Sequence, residues 1–448
     1  MTDFSETRRQ MLHMAMASFA LLLRALTWWQ AALCALAAFL FNLFVLPRVG
    51  GASLNRPSDA ARGYPLGILF YPLSVLLLIL AFPRRPDIVA AAWGILALGD
   101  GAATVVGTRS HGPRLPWNPD KSVAGSLAFI AAGALAGIVL AWWTRPAVAP
   151  APPILFTFGA PVLAAIAAAG VESLRVRLDD NISVPIGAAI VLGGLGLMDA
   201  ASCASAWQWL PRSLLLAAAV NVPVATLGWY AGTVTVSGAV VGALIGIAVF
   251  GFAGAAGWVM LFVSFLAAAV STRMGLKRKR VLGIAEARGG RRGPGNAIAN
   301  TGLAAFAAIV AALSPFRDTA LLAMVTALAA GASDTVASEI GKAWGTKTYL
   351  FPTFKSVRPG TSGAVSLEGT GAGLVAALML AALAQALGLI QGNALWFVAI
   401  GATVGSFVES SLGATLEASG TLDNDMLNFI NTGLSAAFAV ALAWMVAG

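Results

Sequence analysis

Two groups of residues in this chain combine acids, a lysine and glycines at matching separations, an inventory suited to moving phosphoryl groups. Asp100 closes an apolar run, Gly107 follows seven positions later, and Lys121-Ser122-Val123 begins twenty-one positions after the Asp. Asp334, Gly341 and Lys355-Ser356-Val357 repeat both separations. Each Lys-Ser-Val segment enters a small-residue turn, Gly125-Ser126 in one group and Gly360-Thr361 in the other. Glu172-Ser173 and Glu409-Ser410 then end apolar stretches 72 and 75 residues past their Asp, and the acidic clusters Asp179-Asp180-Asn181 and Asp423-Asn424-Asp425 follow. An ordered set of this kind reads as an internal repeat.

Carboxylates are hard oxygen ligands that suit Mg²⁺, while Lys and Arg neutralise phosphate charge and glycines let backbone N–H groups come close. Positioning and charge neutralisation do most of the work in phosphoryl transfer. Asp100 and Asp334 are therefore assigned to Mg²⁺ and nucleotide phosphates, and Lys121 and Lys355 to phosphate charge. Glu172, Glu409, Asp180 and Asp425 are assigned to metal binding or hydroxyl activation, and Glu339 joins the metal set. Phosphate contacts are expected at Gly107, Arg109, Ser122, Gly125, Ser126 and Asn181 in the first group, and at Arg291, Arg292, Gly341, Arg358, Gly360 and Thr361 in the second. An acid inside a span is costly to bury and usually functional, although an isolated one can snorkel to the interface; a lone glycine serves close helix packing equally well. The run Lys277 to Arg280 reads as a topology and headgroup signal, unlike the glycine-flanked Arg291-Arg292 pair. The two histidines are His13 and His111, so the second half has none, which removes histidine and zinc chemistry there. His111, in a polar loop, reads as a bystander. No Walker loop and no protein-kinase signature is present.

The elements holding these residues must lie in a bilayer. Of 448 residues, 58% are hydrophobic and 10% charged, against about 25% charged in soluble domains. A hydrocarbon core of about 30 Å needs roughly 20 apolar residues per helix. About fourteen such stretches occur, near 28–46, 66–82, 87–106, 123–143, 153–171, 183–200, 212–231, 234–251, 255–272, 297–315, 319–338, 369–390, 395–416 and 428–447. They lack the ten-residue alternation of a barrel, so an all-α polytopic integral membrane protein is expected. Eight spans separate the two Asp-bearing helices, an even number, which predicts two parallel pseudo-repeated units at 1–205 and 206–448.

The net charge of +9 does not point to nucleic acid, because the basic residues are scattered among short loops. The loop 272–296, with Arg273, Lys277, Arg278, Lys279, Arg280, Arg288, Arg291 and Arg292, is predicted to be cytoplasmic, and the candidate sites fall on that side. Arg84 and Arg85 fall on the opposite side. The segment from Met11 to Leu23 lacks a signal-peptide cleavage site and is expected to be retained, as an interfacial helix or an extra span. Cys34 and Cys203, in or near apolar stretches, do not suggest a disulfide framework.

Gly99-Asp100-Gly101-Ala102-Ala103, Gly107, Leu115-Pro116-Trp117-Asn118, Lys121-Ser122-Val123-Ala124-Gly125-Ser126, Glu172-Ser173 and Asp179-Asp180-Asn181 resemble the phytol kinase and dolichol kinase family. That resemblance covers about residues 50–200 and implies CTP-dependent phosphorylation of a polyisoprenoid alcohol. The second half resembles the membrane family that includes phytyl-phosphate kinase. It does so through Gly283, Glu286, Gly290-Arg291-Arg292-Gly293, Asn300, Ala332-Ser333-Asp334-Thr335 and Ser338-Glu339-Ile340-Gly341, then through Pro359-Gly360-Thr361-Ser362-Gly363-Ala364-Val365-Ser366, Gly369 and Ser411-Leu412-Gly413-Ala414. It covers about residues 220–448, departs from the pattern at Pro294-Gly295-Asn296 and at Glu409, where Asp is expected, and implies conversion of an isoprenyl monophosphate to its diphosphate.

Together these imply a fused, bifunctional membrane kinase that uses CTP or another nucleoside triphosphate with Mg²⁺. Its substrates would be an isoprenoid alcohol of the phytol or geranylgeraniol class and the isoprenyl phosphate made from it. The expected setting is the bacterial inner membrane, with sites facing the cytoplasm. Two rival classes fit part of the pattern: CDP-lipid synthesis of the phosphatidate cytidylyltransferase type, and secondary transport, which also uses pseudo-repeats.

Overall fold

The computed structural model describes residues 6–48, 66–110, 112–174, 179–286 and 290–447. His111, Arg288 and Gly289 lie outside the described residues. The protein is an all-α polytopic integral membrane protein: twelve helices among the described residues are long and apolar enough to cross a bilayer. Many large apolar side chains on them face outward, as at Leu155, Leu215 and Met379, because lipid rather than water is the surrounding solvent.

The chain divides into two compact units, Met1–Gly196 and Leu197–Gly448. In the first, α1 (Glu6–Ala15) precedes a 3₁₀ segment (Met16–Arg24) whose Ala17, Ala20 and Leu23 join the core. The helices α2 (Trp28–Leu40), α3 (Leu66–Ala81) and α4 (Pro86–Arg109) follow. Strands β1 (Arg114–Leu115) and β2 (Asn118–Ser122) lead into α5 (Val123–Thr144), α6 (Ile154–Ser173) and α7 (Asp180–Leu197). The second unit holds α8 (Ala200–Tyr230), α9 (Val236–Arg273), α10 (Leu276–Val281), α11 (Pro294–Leu313) and α12 (Arg317–Trp344). Strands β3 (Thr348–Leu350), β4 (Lys355–Ser356) and β5 (Ala364–Ser366) precede α13 (Leu367–Ala386), α14 (Ala394–Glu417) and α15 (Asn424–Ala447).

Two of the expected fourteen stretches bear on the count of twelve among the described residues. The described part of α3, which begins at the first described residue after 48, is 16 residues long, below the roughly 20 that a span requires. The stretches expected at 234–251 and 255–272 follow each other as the two halves of α9, parted within the expected gap at Gly254, whose φ of 71° and ψ of −170° lie outside the helical region. That break takes Gly251 out of the regular ladder, and its carbonyl accepts a hydrogen bond from Ser213 Oγ at 3.0 Å.

The loop strands set the register of the helices that follow. Ser122 ends β2 and caps α5, its Oγ accepting from the Gly125 N–H at 3.1 Å. In the second unit the same cap is made by Ser366, at the end of β5, with Gly369 at 3.1 Å. The glycines permit close helix contact: a Cβ on Gly125 would stand 3.1 Å from the Ala103 carbonyl, and one on Gly369 would stand 2.5 Å from that of Ala337. Ala103 and Ala337 each lie three residues past their Asp, so the Asp-to-Gly register of Asp100/Gly107 and Asp334/Gly341 holds in space. The Lys-Ser register does not. The spatial counterpart of Ser122-Val123 is Ser366-Leu367, because an additional strand, β4, carries Lys355-Ser356 on the far side of β3.

The break in α9 tests this architecture. A Cβ on Gly254 meets nothing within 4 Å, so Gly254→Ala adds only backbone strain, on the order of 1–3 kcal/mol for a conformation essentially restricted to glycine. Thermal unfolding in detergent should show a midpoint lowered by several degrees; an unchanged midpoint would mean that α9 runs through without a break.

Candidate functional site

In the first unit the acids converge from within α4, from the end of α6 and from the start of α7. Asp100 ends a π-helical turn, Ile95–Asp100, within α4, a distortion frequent at functional sites. Single carboxylate oxygens of Asp100, Glu172 and Asp180 lie within 4.8 Å of one another. Glu172, at the end of α6, is 3% exposed. Lys121, presented by β2, forms ion pairs with Glu172 and with Asp180, the latter at 3.4 Å. The hairpin is tied to the same helix end: Trp117 Nε1 donates to Ser173 Oγ at 3.2 Å, and Asn118 Nδ2 donates to the Ser173 carbonyl at 3.0 Å. Burial pulls the Lys121 ammonium down, but Asp180 and Glu172 outweigh it and hold its pKa above the usual lysine value. The site therefore keeps its positive charge at neutral pH.

The structure brings together Asp100, Lys121, Glu172 and Asp180. Gly107, Ser122 and Gly125 serve the helix cap and close packing instead of an open phosphate cradle, since a Cβ on Gly107 would stand 3.3 Å from Ser122 Oγ. Arg109 is exposed. Ser126 Oγ and Asn181 Oδ1 are buried without a hydrogen-bond partner, so both remain available to a ligand. Sequence reasoning misses His13, whose Nε2 lies 3.8 Å from Asp100 Oδ2 and whose ring meets Tyr71 edge-on at 4.7 Å. No spacing rule connects residue 13 to residue 100, so no sequence signal points to it.

In the second unit a cavity of about 280 Å³ opens among α12, α13 and α14, with Asp334, Lys342, Ser406, Glu409, Thr361 and Glu417 in its walls. The Asp334 and Glu409 carboxyl groups face each other. Ser406 Oγ donates to Asp334 Oδ1 at 3.3 Å. Glu409 Oε2 is buried with no hydrogen-bond partner. Gly341 and Gly360 also line the cavity, and Gly360 and Gly363 take positive φ of 86° and 75° where the loop folds over it.

Several expected members lie elsewhere. Lys355 and Arg358 are exposed and outside the cavity, and the lysine on its wall is Lys342, a residue with no counterpart in the expected register, whose ammonium pairs with Glu339. Asp425 turns toward Gly295, leaving Asn424 on the cavity wall. Glu339 is not offered to a cation: its Oε2 pairs with Lys279 at 2.5 Å and its Oε1 with Lys342 at 2.9 Å. Lys279 is fully buried, so within the basic run this residue is a structural counter-ion and not a headgroup signal. Arg291 is exposed, and Arg292 is half-buried against a different chamber.

The family of integral membrane proteins designated DUF92 matches residues 219–436. An uncharacterized membrane protein of Synechocystis sp. is 38% identical over 245 residues, which cover 53% of this chain and 92% of that relative. The chloroplastic protein VTE6 of Arabidopsis thaliana is 32% identical over 248 residues, covering 54% of this chain and 73% of that protein. Probable phytol kinase 3 of Glycine max is 35% identical over 129 residues, 28% of this chain and 40% of that protein. No solved structure matches the chain.

The first cluster makes a stability prediction. Lys121→Met leaves Glu172 buried beside two other acids; because Lys121 is 30% exposed, the loss should be about 1–3 kcal/mol, below that of a fully buried pair. Adding Glu172→Gln should recover most of it in thermal unfolding. A double variant as unstable as the single one would mean that the pairing is unimportant.

Proposed function

The chain belongs to the DUF92 family of integral membrane proteins, and from that premise we propose that it is a membrane isoprenoid kinase with two successive activities. The first unit phosphorylates an alcohol of the phytol or geranylgeraniol class, and the second extends the monophosphate to the diphosphate. The observation that carries this reading is the gathering, in each unit, of carboxylates with a lysine: Asp100, Glu172, Asp180 and Lys121 in one, Asp334, Glu409 and Lys342 in the other. Relatives named as probable phytol kinases support the substrate class, although the match spans less than half of their length.

The donor set fits Mg²⁺, which favours hard oxygen ligands. Three carboxylate oxygens converge in the first unit, and Glu409 Oε2 has no partner in the second. A bound Mg²⁺ would neutralise charge on the nucleotide's phosphates. The chain's own residues do the rest. Lys121 and Lys342 draw the polyphosphate in, and the helix ends keep the acceptor oxygen in line with the terminal phosphorus. In the first reaction the alcohol oxygen forms a new P–O bond while the bond to the leaving nucleoside diphosphate breaks, and the hydroxyl proton passes to Asp180 and on to water. In the second, the attacking oxygen belongs to a phosphate monoester. Its second pKa is about 6, so it is already anionic near neutrality and needs no base, consistent with a half-chain without histidine. We take CTP as the donor and the cytoplasmic face of a bacterial inner membrane as the setting.

Purified protein given CTP, Mg²⁺ and phytol should form phytyl phosphate and then the diphosphate, followed by mass spectrometry. Asp334→Asn should halt the sequence at monophosphate, whereas Asp100→Asn should leave supplied monophosphate fully consumable. Lys342→Ala should slow the second step about tenfold or more, an effect typical of losing a charge-assisted contact, while Lys355→Ala should leave it near the wild-type rate. Release of pyrophosphate with a CDP-lipid, or equal losses in the two Asp variants, would contradict the scheme.

A further inference from the structure

The second unit contains another chamber, of about 140 Å³, beside the acidic cavity. Gly331 and Ala332 of α12 line it, and the next two residues, Ser333 and Asp334, line the acidic cavity, so one helical turn forms a shared wall. Its other walls are mostly apolar, with Ile245, Leu261, Phe265 and Leu328 among them. Among the described residues no carboxylate lines it, and Arg292 is its one charged group. Arg292 Nη1 donates to Asn296 Oδ1 at 3.2 Å, and a guanidinium remains charged near neutrality even when partly buried.

Two further wall residues have unmet hydrogen-bonding capacity. Asn300, 7% exposed, sits on the π-helical turn Ile298–Gly302 and donates through Nδ2 to the Asn296 carbonyl at 3.0 Å, leaving Oδ1 without a partner. Ser264 Oγ, on a residue 4% exposed, also has none. Buried polar groups are normally satisfied, so this wall is prepared for a ligand with polar atoms. Water can satisfy such polar atoms, but the apolar walls suit a ligand that also carries hydrocarbon.

We infer that this chamber is the acceptor site of the second unit, taking a prenyl phosphate with its chain along the apolar walls and its phosphate against Arg292 and Asn296. The identity of the occupant rests on the isoprenoid-kinase reading; the need for an anionic head and an apolar tail rests on the chamber alone. The shared turn sets this acceptor beside the carboxylates proposed to hold the nucleotide. The placement also explains why the glycine-flanked arginine pair is absent from the acidic cavity: Arg292 serves the acceptor.

The test uses full-length protein in detergent, without nucleotide, and a diazirine-bearing geranylgeranyl phosphate as photoprobe. Cross-links should fall within 242–268, and geranylgeranyl phosphate should compete at least about tenfold better than geranylgeraniol, as expected for one charge-assisted contact. Gly242 lines the chamber, and a Cβ there meets nothing within 4 Å, so Gly242→Phe directs a ring into the space and should abolish the labelling. Ser264→Leu, which replaces an orphan hydroxyl with a methyl-bearing chain, should weaken it as well. Unchanged labelling in both variants, or competition by dioleoyl phosphatidate equal to that of the prenyl phosphate, would overturn the assignment. Specific labelling without any nucleotide turnover would keep the chamber and refute the kinase; turnover with an unaltered KM for prenyl phosphate in Gly242→Phe would do the reverse.

Discussion

A carboxylate held inside a bundle of apolar helices is tolerated only where counter-charge and hydrogen-bond donors accompany it, since breaking such an arrangement costs several kcal/mol. The protein buries Glu172, Glu339 and Glu409 to 3%, 1% and 8% exposure, and it compensates them unequally. Glu339 has two lysines, one on each oxygen: buried Lys279 ties it to α10, and Lys342 also stands on the wall of the acidic cavity. Glu172 shares a single lysine with Asp180 while Asp100 stands close by. Glu409 faces another acid and keeps one oxygen unpartnered. The first arrangement is finished and the other two are short of positive charge. On the function proposed above, a divalent cation carrying a polyphosphate would supply that charge, and the deficit distinguishes the candidate sites from a structural ion pair of similar burial.

The loop strands place the remaining parts. In each unit a short hairpin ends on a serine that caps the next helix, and a glycine one turn later lets that helix approach the Asp-bearing one. The two hairpins deliver their cations differently. In the first unit β2 itself presents Lys121, directly before the capping serine. In the second the equivalent place is Val365, and the positive charge comes from Lys342, two turns beyond Asp334 on the same helix. Similar acidic chemistry can thus be completed from a strand or from a helix, with the lysine free to move between elements as long as it reaches the acids.

The features legible in the sequence are those with local causes. An acid inside an apolar run announces its cost, so Asp100, Glu172, Asp334 and Glu409 stand out from the residue pattern alone, and the Asp-to-Gly spacing holds because it lies within one helix. The Lys-Ser match does not hold, because equal separations along the chain say nothing about an inserted strand; a Ser-x-x-Gly capping pattern before an apolar run, present at Ser122 and Ser366, is the more physical signal. Lys279 looks like its basic neighbours because its burial depends on Glu339, sixty residues away. His13 and Arg292 are similarly opaque: tertiary packing alone decides that one stands near Asp100 and the other against an apolar chamber. The gap between the stretches 234–251 and 255–272 is legible for the same local reason, since the break falls at a glycine, Gly254.

The central claim is that two separate carboxylate clusters each bind a cation together with a nucleotide. Electron paramagnetic resonance with Mn²⁺ in place of Mg²⁺, in the presence of a non-hydrolysable CTP analogue, counts such sites directly. The account predicts two nucleotide-dependent ions per chain, one lost in Asp100→Asn and the other in Asp334→Asn. A single ion per chain, or a count unmoved by either substitution, would contradict it.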